Sequence, residues 1–387
     1  MEQVQLSRRR LADAVNLSWL LAVVGVVGLI VIFSVNAHAA HAAASQDWSP
    51  FVLVSGLLLI GLVADGDGLF AAAGNTLARL SSNGVVLFLG ATVMISLVTA
   101  FLNLDTSVAF VTPVLVYAAK SRGSAEAPLL YGCLLLSNAG SLFLPGSNLT
   151  NLIVLGHLRL TGAEFLAHSW APAFAALVVT ALVVLVAERR ELKVKSLVVV
   201  ATKRPVWGLG LVAVVAGSTL VTVVPSPALG VLGVGLVATG LRVVNGRDTL
   251  GHVAQVLGVP VLVGLFGVAV TLGAVGRLWS GPSLLLSHLD VWGTAGFAAA
   301  SSVLVNNLPA ASMLAARSSA HPFALLIGLN LGPNLCVTGS LAWLLWLRAA
   351  RLAGARPSLK KASRLGAWVV PASMVAAVLA LQGAGHG

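Results

Sequence analysis

Residues 96–114, SLVTAFLNLDTSVAFVTPV, and 135–155, LLSNAGSLFLPGSNLTNLIVL, decide how this chain folds. They return in the second half as 301–314, SSVLVNNLPAASML, and 326–347, LIGLNLGPNLCVTGSLAWLLWL. In each half an apolar run is cut near its middle by polar residues, Asn103-Leu104-Asp105-Thr106 first and Asn306-Asn307-Leu308-Pro309 second. A second run then carries helix-breaking residues at its centre. Asn138 and Gly140 correspond to Asn330 and Gly332, and Gly146-Ser147 to Gly339-Ser340 with one residue inserted. Such internal repetition is a fold-level signal.

Composition supplies the medium in which these runs sit. The 387 residues are 58% hydrophobic and only 9% charged, with a mean hydropathy of +0.97; a soluble domain carries about 25% charged residues. At roughly 20 apolar residues per crossing, nearly the whole chain is consumed by membrane spans, which leaves no room for a soluble catalytic domain. Full crossings are expected near 17–38, 50–66, 127–157, 169–187, 205–223, 226–243, 254–275, 322–347 and 366–382. The interrupted runs 84–119 and 284–316 differ. Non-helical backbone at membrane depth is tolerated only where protein or water covers it, so these two are expected as re-entrant hairpins with tips near the midplane.

Charge distribution tests that layout. The formal charge of +11 reads as an orientation signal, since Lys and Arg collect in cytoplasmic loops, and not as a nucleic-acid surface. With Arg8 to Arg10 inside, the hairpin layout leaves only Arg159, Arg277 and Arg317 of the 23 basic residues outside. Treating either hairpin as a crossing inverts the clusters Arg189 to Arg204 and Arg348 to Arg364. The chain is therefore expected to lie in the cytoplasmic membrane, the N-terminus inside and the first helix uncleaved despite its Ser7-Arg8-Arg9 start. Hairpin one enters from the cytoplasm and hairpin two from outside. The expected fold is an all-α polytopic membrane protein of inverted repeats, at about 50–187 and 254–382 with linking helices at 205–243. Broken helices of this kind build midplane sites in secondary transporters.

The chemistry-bearing residues follow from the breaks. Gly140, Pro145 and Gly146 in one half, and Gly332, Pro333 and Gly339 in the other, free backbone groups that amides and hydroxyls supplement. Asn103, Asn138, Ser147, Asn148, Asn306, Asn307, Asn334, Thr338 and Ser340 are the expected substrate-binding set. Asp105 is the one acidic residue expected near the midplane, where a carboxylate costs about 2.5–3.5 kcal/mol. It is expected to carry a coupling proton and also to suit the N-cap of the returning helix. Asp65 and Asp67, flanked by Gly66 and Gly68, read as a turn. His38 and His41 fall in an exposed Ala-rich loop, and His157, His168 and His321 near span ends, so no metal cluster is expected. GxGxxA stretches at Gly208 and Gly233 read as helix-packing glycines. Cys133 and Cys336 lack CxxC spacing. Without a Walker A motif, ATP hydrolysis by a P-loop is not expected; no cofactor is expected, and deep polar residues that are nearly all amides and hydroxyls give no expectation of an enzyme.

At these residues the sequence resembles the ion transporter superfamily, and within it the arsenical pump membrane proteins. The resemblance rests on Asn103 and Asp105, Thr112-Pro113, Ser147-Asn148-Leu149-Thr150-Asn151, Asn306-Asn307-Leu308-Pro309, Leu331-Gly332-Pro333, Gly339-Ser340-Leu341-Ala342 and Leu344-Leu345-Trp346-Leu347. It implies proton-coupled efflux of arsenite or antimonite, with a soluble ATPase as a possible partner. An uncharged arsenous acid suits a site with a carboxylate and many amides. Leu104, inserted between Asn103 and Asp105, and Thr106-Ser107 depart from that pattern. Dicarboxylate or sulfate transport and sodium/proton exchange, found in the same superfamily, are the alternatives, although neither tip has the Ser-Asn-Thr of the dicarboxylate carriers, which argues against a sodium-coupled one; a polytopic membrane enzyme is a more distant alternative.

Overall fold

The computed structural model describes residues 2–80, 83–156, 158, 160–193 and 208–385. His157, Arg159, the side chains of Arg8 to Arg10 and the basic residues 194–204 lie outside the described part. The described chain is helical, and five of its helices are long and apolar enough to cross a membrane.

The first element, α1 (Glu2–Gly66), is two arms joined at Asn36, whose backbone is non-helical (φ −154°, ψ 88°). The arms run in opposite senses along α13 (Val259–Leu278). Leu21 and Gly28 meet Gly264 and Thr271, whereas Ala43 meets Gly273 and Phe51 stacks edge-on against Phe266. Phe33 and His41 have ring centroids 5.1 Å apart, although eight residues of straight helix span about 12 Å. The reversal takes so few residues because the Asn36 side chain accepts the Ala39 N–H at 2.9 Å, restarting the helix in an Ala-rich stretch of high helix propensity. This corrects the expected loop at His38 and His41: both lie on helix, exposed.

After the second arm come α2 (Leu69–Leu80), α3 (Gly84–Phe101), α4 (Leu104–Thr106), a π-helical turn Ser107–Val111, α5 (Thr112–Ser121), α6 (Ala127–Gly140), a 3₁₀ turn Pro145–Ser147, α7 (Leu149–Leu155) and α8 (Gly162–Ala187). Short α9 (Arg189–Leu192), α10 (Leu209–Val223), α11 (Ala228–Val244) and α12 (Leu250–Leu257) intervene. The order then recurs: α13, α14 (Gly281–His288), α15 (Val291–Val305), α16 (Asn307–Leu314), α17 (Pro322–Leu331), a 3₁₀ turn Gly332–Leu335, α18 (Ala342–Leu352) and α19 (Leu359–Gly383).

Both expected hairpins are present, and they enter from opposite sides. The returning arm of the first ends at Arg122, which donates to the Ala78 carbonyl at 2.7 Å, six residues ahead of the outgoing arm. That hairpin lies on the Gly66 side of its tip, since Thr106 packs on Gly61 and Phe110 stacks on Phe70. The second closes toward the opposite end of α1's second arm: Ala315 accepts from Gln46 at 3.2 Å, and Arg317 donates to the Arg277 carbonyl at 2.9 Å. The π-helical turn has a local cause. Pro113 lacks an N–H and its ring crowds the carbonyl four residues earlier, so the preceding turn widens.

Glycines set the helix spacing. A Cβ on Gly264 would lie 2.5 Å from the Leu21 carbonyl oxygen, and one on Gly235 2.7 Å from that of Gly56. Gly210 meets Ala64 as closely. These are close small-residue contacts of the membrane type, as expected of the GxGxxA stretches. Asp67 closes this end of the bundle, accepting from Arg242 at 2.6 Å and from the Gly210 N–H at 2.7 Å.

Candidate functional site

Each hairpin turns on an asparagine with positive φ. Asn103 has φ 145° and ψ 173°, and Asn306 has φ 79° and ψ 147°; they are the non-glycine residues with positive φ among those described. This region is nearly glycine-only and costs of order 1–3 kcal/mol per residue. In both cases the side chain gives something back: Asn103 Oδ1 accepts the Thr106 N–H at 2.6 Å and Asn306 Oδ1 the Leu308 N–H at 3.4 Å. Asn103, not Asp105, is thus the N-cap of the returning helix. Asp105 sits in its first turn with its carboxylate released from capping.

The two tips and the two breaks meet around a cavity of ≈ 30 Å³. Leu104 and Asp105 come from the first tip, Asn306, Asn307 and Leu308 from the second. Asn148 and Leu149 follow the first break; Ser340, Leu341 and Ala342 follow the second; Leu265 of α13 completes the wall. Every one of these except Leu265 stands at or beside the first residues of a helix. Asn148 caps α7, Leu341 precedes α18, Asn306 caps α16, and Leu104 opens α4. Four helix N-termini therefore face one small space, and no Lys or Arg lines it. The helix dipole and the N–H groups left uncapped place partial positive charge at such ends.

Of the expected set, Asn148, Asn306, Asn307, Ser340 and Asp105 line the cavity, while Asn103, Asn138, Ser147, Asn334 and Thr338 do not. Asn138 donates to Asn334 Oδ1 at 2.9 Å, and Asn334 donates to the Leu135 carbonyl at 3.1 Å, tying one break to the other. Ser147 donates to the carbonyls of Ser141 and Leu144. Thr338 is exposed and donates to the Val303 carbonyl at 2.8 Å.

The breaks themselves are packed. A Cβ on Gly332 would stand 2.7 Å from Ala299 Cα, and one on Gly339 2.5 Å from Pro333 Cα. Gly140 and Gly146 have more room, 3.4 and 3.1 Å to their nearest neighbours. Pro333 offers its carbonyl to Trp343 Nε1 at 2.8 Å, and Pro145 opens the 3₁₀ turn. The Gly339 carbonyl accepts the Asn307 N–H at 2.8 Å, coupling tip to break.

One hub was missed by sequence reasoning. Asn330 accepts from Asn148 Nδ2 at 2.7 Å and from Ser141 Oγ at 2.5 Å, and donates to Asn151 Oδ1 at 2.8 Å. It thereby holds Asn148 in the cavity wall. Its correspondence with Asn138 was the available signal, since a buried amide in a membrane span demands partners. Among the described residues no group of three His, Cys, Asp or Glu is placed to hold a metal.

The model of the citrate transporter family (CitMHS) matches residues 8–347 of this chain, a stretch that contains both hairpins and both breaks. The chain belongs to the citrate transporter family. Its fold is also that of the Alcanivorax borkumensis YdaH transporter, described as having an unusual topology. The two superpose with a TM-score of 0.55 at 15% identity, covering 89% of this chain and 86% of that one. This citrate transporter family member is thus a polytopic membrane protein of the transporter type, and the ion transporter-like fold expected from sequence is present. The family matched is not the arsenical pumps. In one stretch of that resemblance, Gly339 to Leu347, Trp343 donates to the Pro333 carbonyl and Trp346 to the Leu130 carbonyl, both at 2.8 Å. Those tryptophans are fully buried packing residues and carry no information about the solute.

Proposed function

We propose that this protein is a secondary transporter of small carboxylate anions, of the citrate or dicarboxylate type. The anion binds where the hairpin tips meet, together with a proton taken up by Asp105. The observation that carries this reading is the convergence of four helix N-termini on the cavity. Such ends attract anions through the dipole and the N–H groups that the Asn103, Asn148 and Asn306 caps leave open, and an uncharged arsenous acid gains little from them. Asp105 would repel a carboxylate while ionised; a proton on Asp105 removes the repulsion, so anion and proton favour each other's binding and travel in the same direction. The family match supports the substrate class.

A cavity of ≈ 30 Å³ has the volume of about one water molecule, against roughly 300–1,000 Å³ for ligand pockets. A citrate or dicarboxylate is larger than this space, so the hairpins move apart to load it. Two repeats near 50–187 and 254–382, with the N-terminus cytoplasmic, give the inverted frame in which alternating access operates. The recurring element order and the opposed hairpins support that frame.

The test is uptake by purified protein in liposomes. Labelled citrate and succinate should accumulate when the outside is made acidic, and arsenite should not. Arsenite flux without carboxylate flux refutes the reading.

A further inference from the structure

No basic side chain lines the cavity, but the exposed face of α18, which starts beside it, carries Arg348 and Arg351. The two helices that follow the breaks differ in surroundings. In α7 every residue except Leu152 is buried, whereas α18 is buried on one face, at Trp343, Trp346, Leu347 and Ala350, and exposed on the other at Leu344, Arg348 and Arg351. That exposed face starts at Leu341 in the cavity wall and runs toward Ala353, whose carbonyl accepts from Lys120 at 2.9 Å. Ahead of α18, Thr338 is exposed and Cys336 partly so, and the neighbouring tip of α15 is open at Leu304 and Val305. Arg348 makes no hydrogen bond or ion pair with any described residue.

Depth decides what the open face meets. Arg348 is seven residues beyond Leu341, about 10 Å along the helix, and tilting the helix only brings it nearer the cavity's level. With the cavity near the midplane of a hydrocarbon layer about 30 Å thick, the guanidinium sits at membrane depth. A charged group starting there reaches water, through a water-filled cavity or by snorkelling to the interface where the Arg348 to Arg364 cluster begins.

We infer that Arg348 is a specificity residue in an aqueous vestibule on the α18 side of the site, drawing carboxylate anions from solution to the hairpin tips. The inference rests on the anion reading for its substrate and not for its electrostatics. A cation placed outside the cavity raises the local anion concentration without holding the anion too tightly to release it.

Cys336 is a native reporter, because the other cysteine, Cys133, is fully buried. The experiment compares modification of Cys336 in purified protein by anionic and cationic thiosulfonate reagents, each normalised to its rate with a free thiol. In the wild type at low ionic strength the anionic reagent should be favoured, and the preference should vanish near 1 M salt, where screening acts within about 3 Å. Arg348→Gln should cut the ratio about twofold or more, the effect in water of a unit charge within about 20 Å on reagents of opposite sign. Arg348→Lys should retain the preference, and Arg247→Gln, at the end of α11, should leave it unchanged. In liposomes Arg348→Gln should raise KM for citrate about threefold or more at low salt with kcat held. A wild-type ratio at or below one, or an unchanged ratio in Arg348→Gln, overturns the inference, the guanidinium then belonging to lipid headgroups. Should no carboxylate be transported, the anion reading fails while the labelling ratio still judges the vestibule.

Discussion

Replacing Asn330 by Leu removes the residue on which the two halves of the site are hung. Leu is close in size, so the perturbation is one of polarity. Three side-chain groups lose a partner, Asn148 Nδ2, Asn151 Oδ1 and Ser141 Oγ, and the Leu326 carbonyl loses its side-chain donor. Ser141 retains its bond to the Asn138 carbonyl at 2.7 Å and Asn151 keeps its own donor bonds to Ser141 and Leu144. Two atoms are therefore left buried and unsatisfied, Asn148 Nδ2 and Asn151 Oδ1. At about 1–3 kcal/mol for each such group the loss is about 2–6 kcal/mol. Interhelical polar contacts in membrane proteins average nearer 0.6 kcal/mol, which places the expectation toward the lower end, about 2 kcal/mol. Reversible unfolding in mixed micelles measures it. A double-mutant cycle with Asn151→Leu should return a coupling of about 0.6–1.7 kcal/mol. Because Asn148 loses its tether to the cavity wall, KM for the transported anion should rise as well. A stability change below about 0.5 kcal/mol would refute the claim that the hub is a closed and satisfied network.

Asn306→Gly should change stability by less than about 1 kcal/mol, backbone relief offsetting the lost cap, whereas Asn306→Val should destabilise by several kcal/mol because a β-branched residue resists positive φ; micelle unfolding separates the two. Asp105→Asn should leave the fold intact, because Asn103 supplies the cap, while uptake loses its acceleration by an imposed pH gradient. Asp248, in the loop after α11, is pushed upward by burial, but its hydrogen bonds from His252 and the Thr249 N–H and the Arg242 charge hold its carboxyl below the usual range. A depressed carboxyl stabilises above its unfolded value of about 3.9 and loses that contribution as pH falls through the folded value. Asp248→Asn should therefore destabilise at pH 7 and match wild type once the medium is more acidic than that folded value.

Much of the architecture was legible because the membrane restricts what backbone can do. Polar residues in the middle of apolar runs had to be covered, and the hairpins at Asn103 and Asn306 are where they fall. The paired breaks were legible for the same reason. What escaped was set by tertiary geometry. The hydroxyls and amides read as a substrate-binding set differ only in what faces them: Asn138 and Asn334 satisfy each other, while Asn148 and Asn307 reach the cavity. No spacing rule distinguishes these. The Asn36 reversal was hidden because one residue does the work of a loop. The arsenical-pump resemblance drew in part on a signature around Trp346 that packs the second break, and the positive ends of four helices leave no charged residue in the sequence to read.

Counterflow of labelled citrate in liposomes, measured for the wild type and for Ala342→Phe, tests the central claim most directly. Ala342 is buried in the cavity wall at the start of α18, so an aromatic ring there occupies the site itself. The account predicts accelerated citrate exchange by the wild type and its loss in the variant, with the variant still folded by circular dichroism and gel filtration. Equal exchange by both proteins, or exchange of arsenite alone, would contradict it.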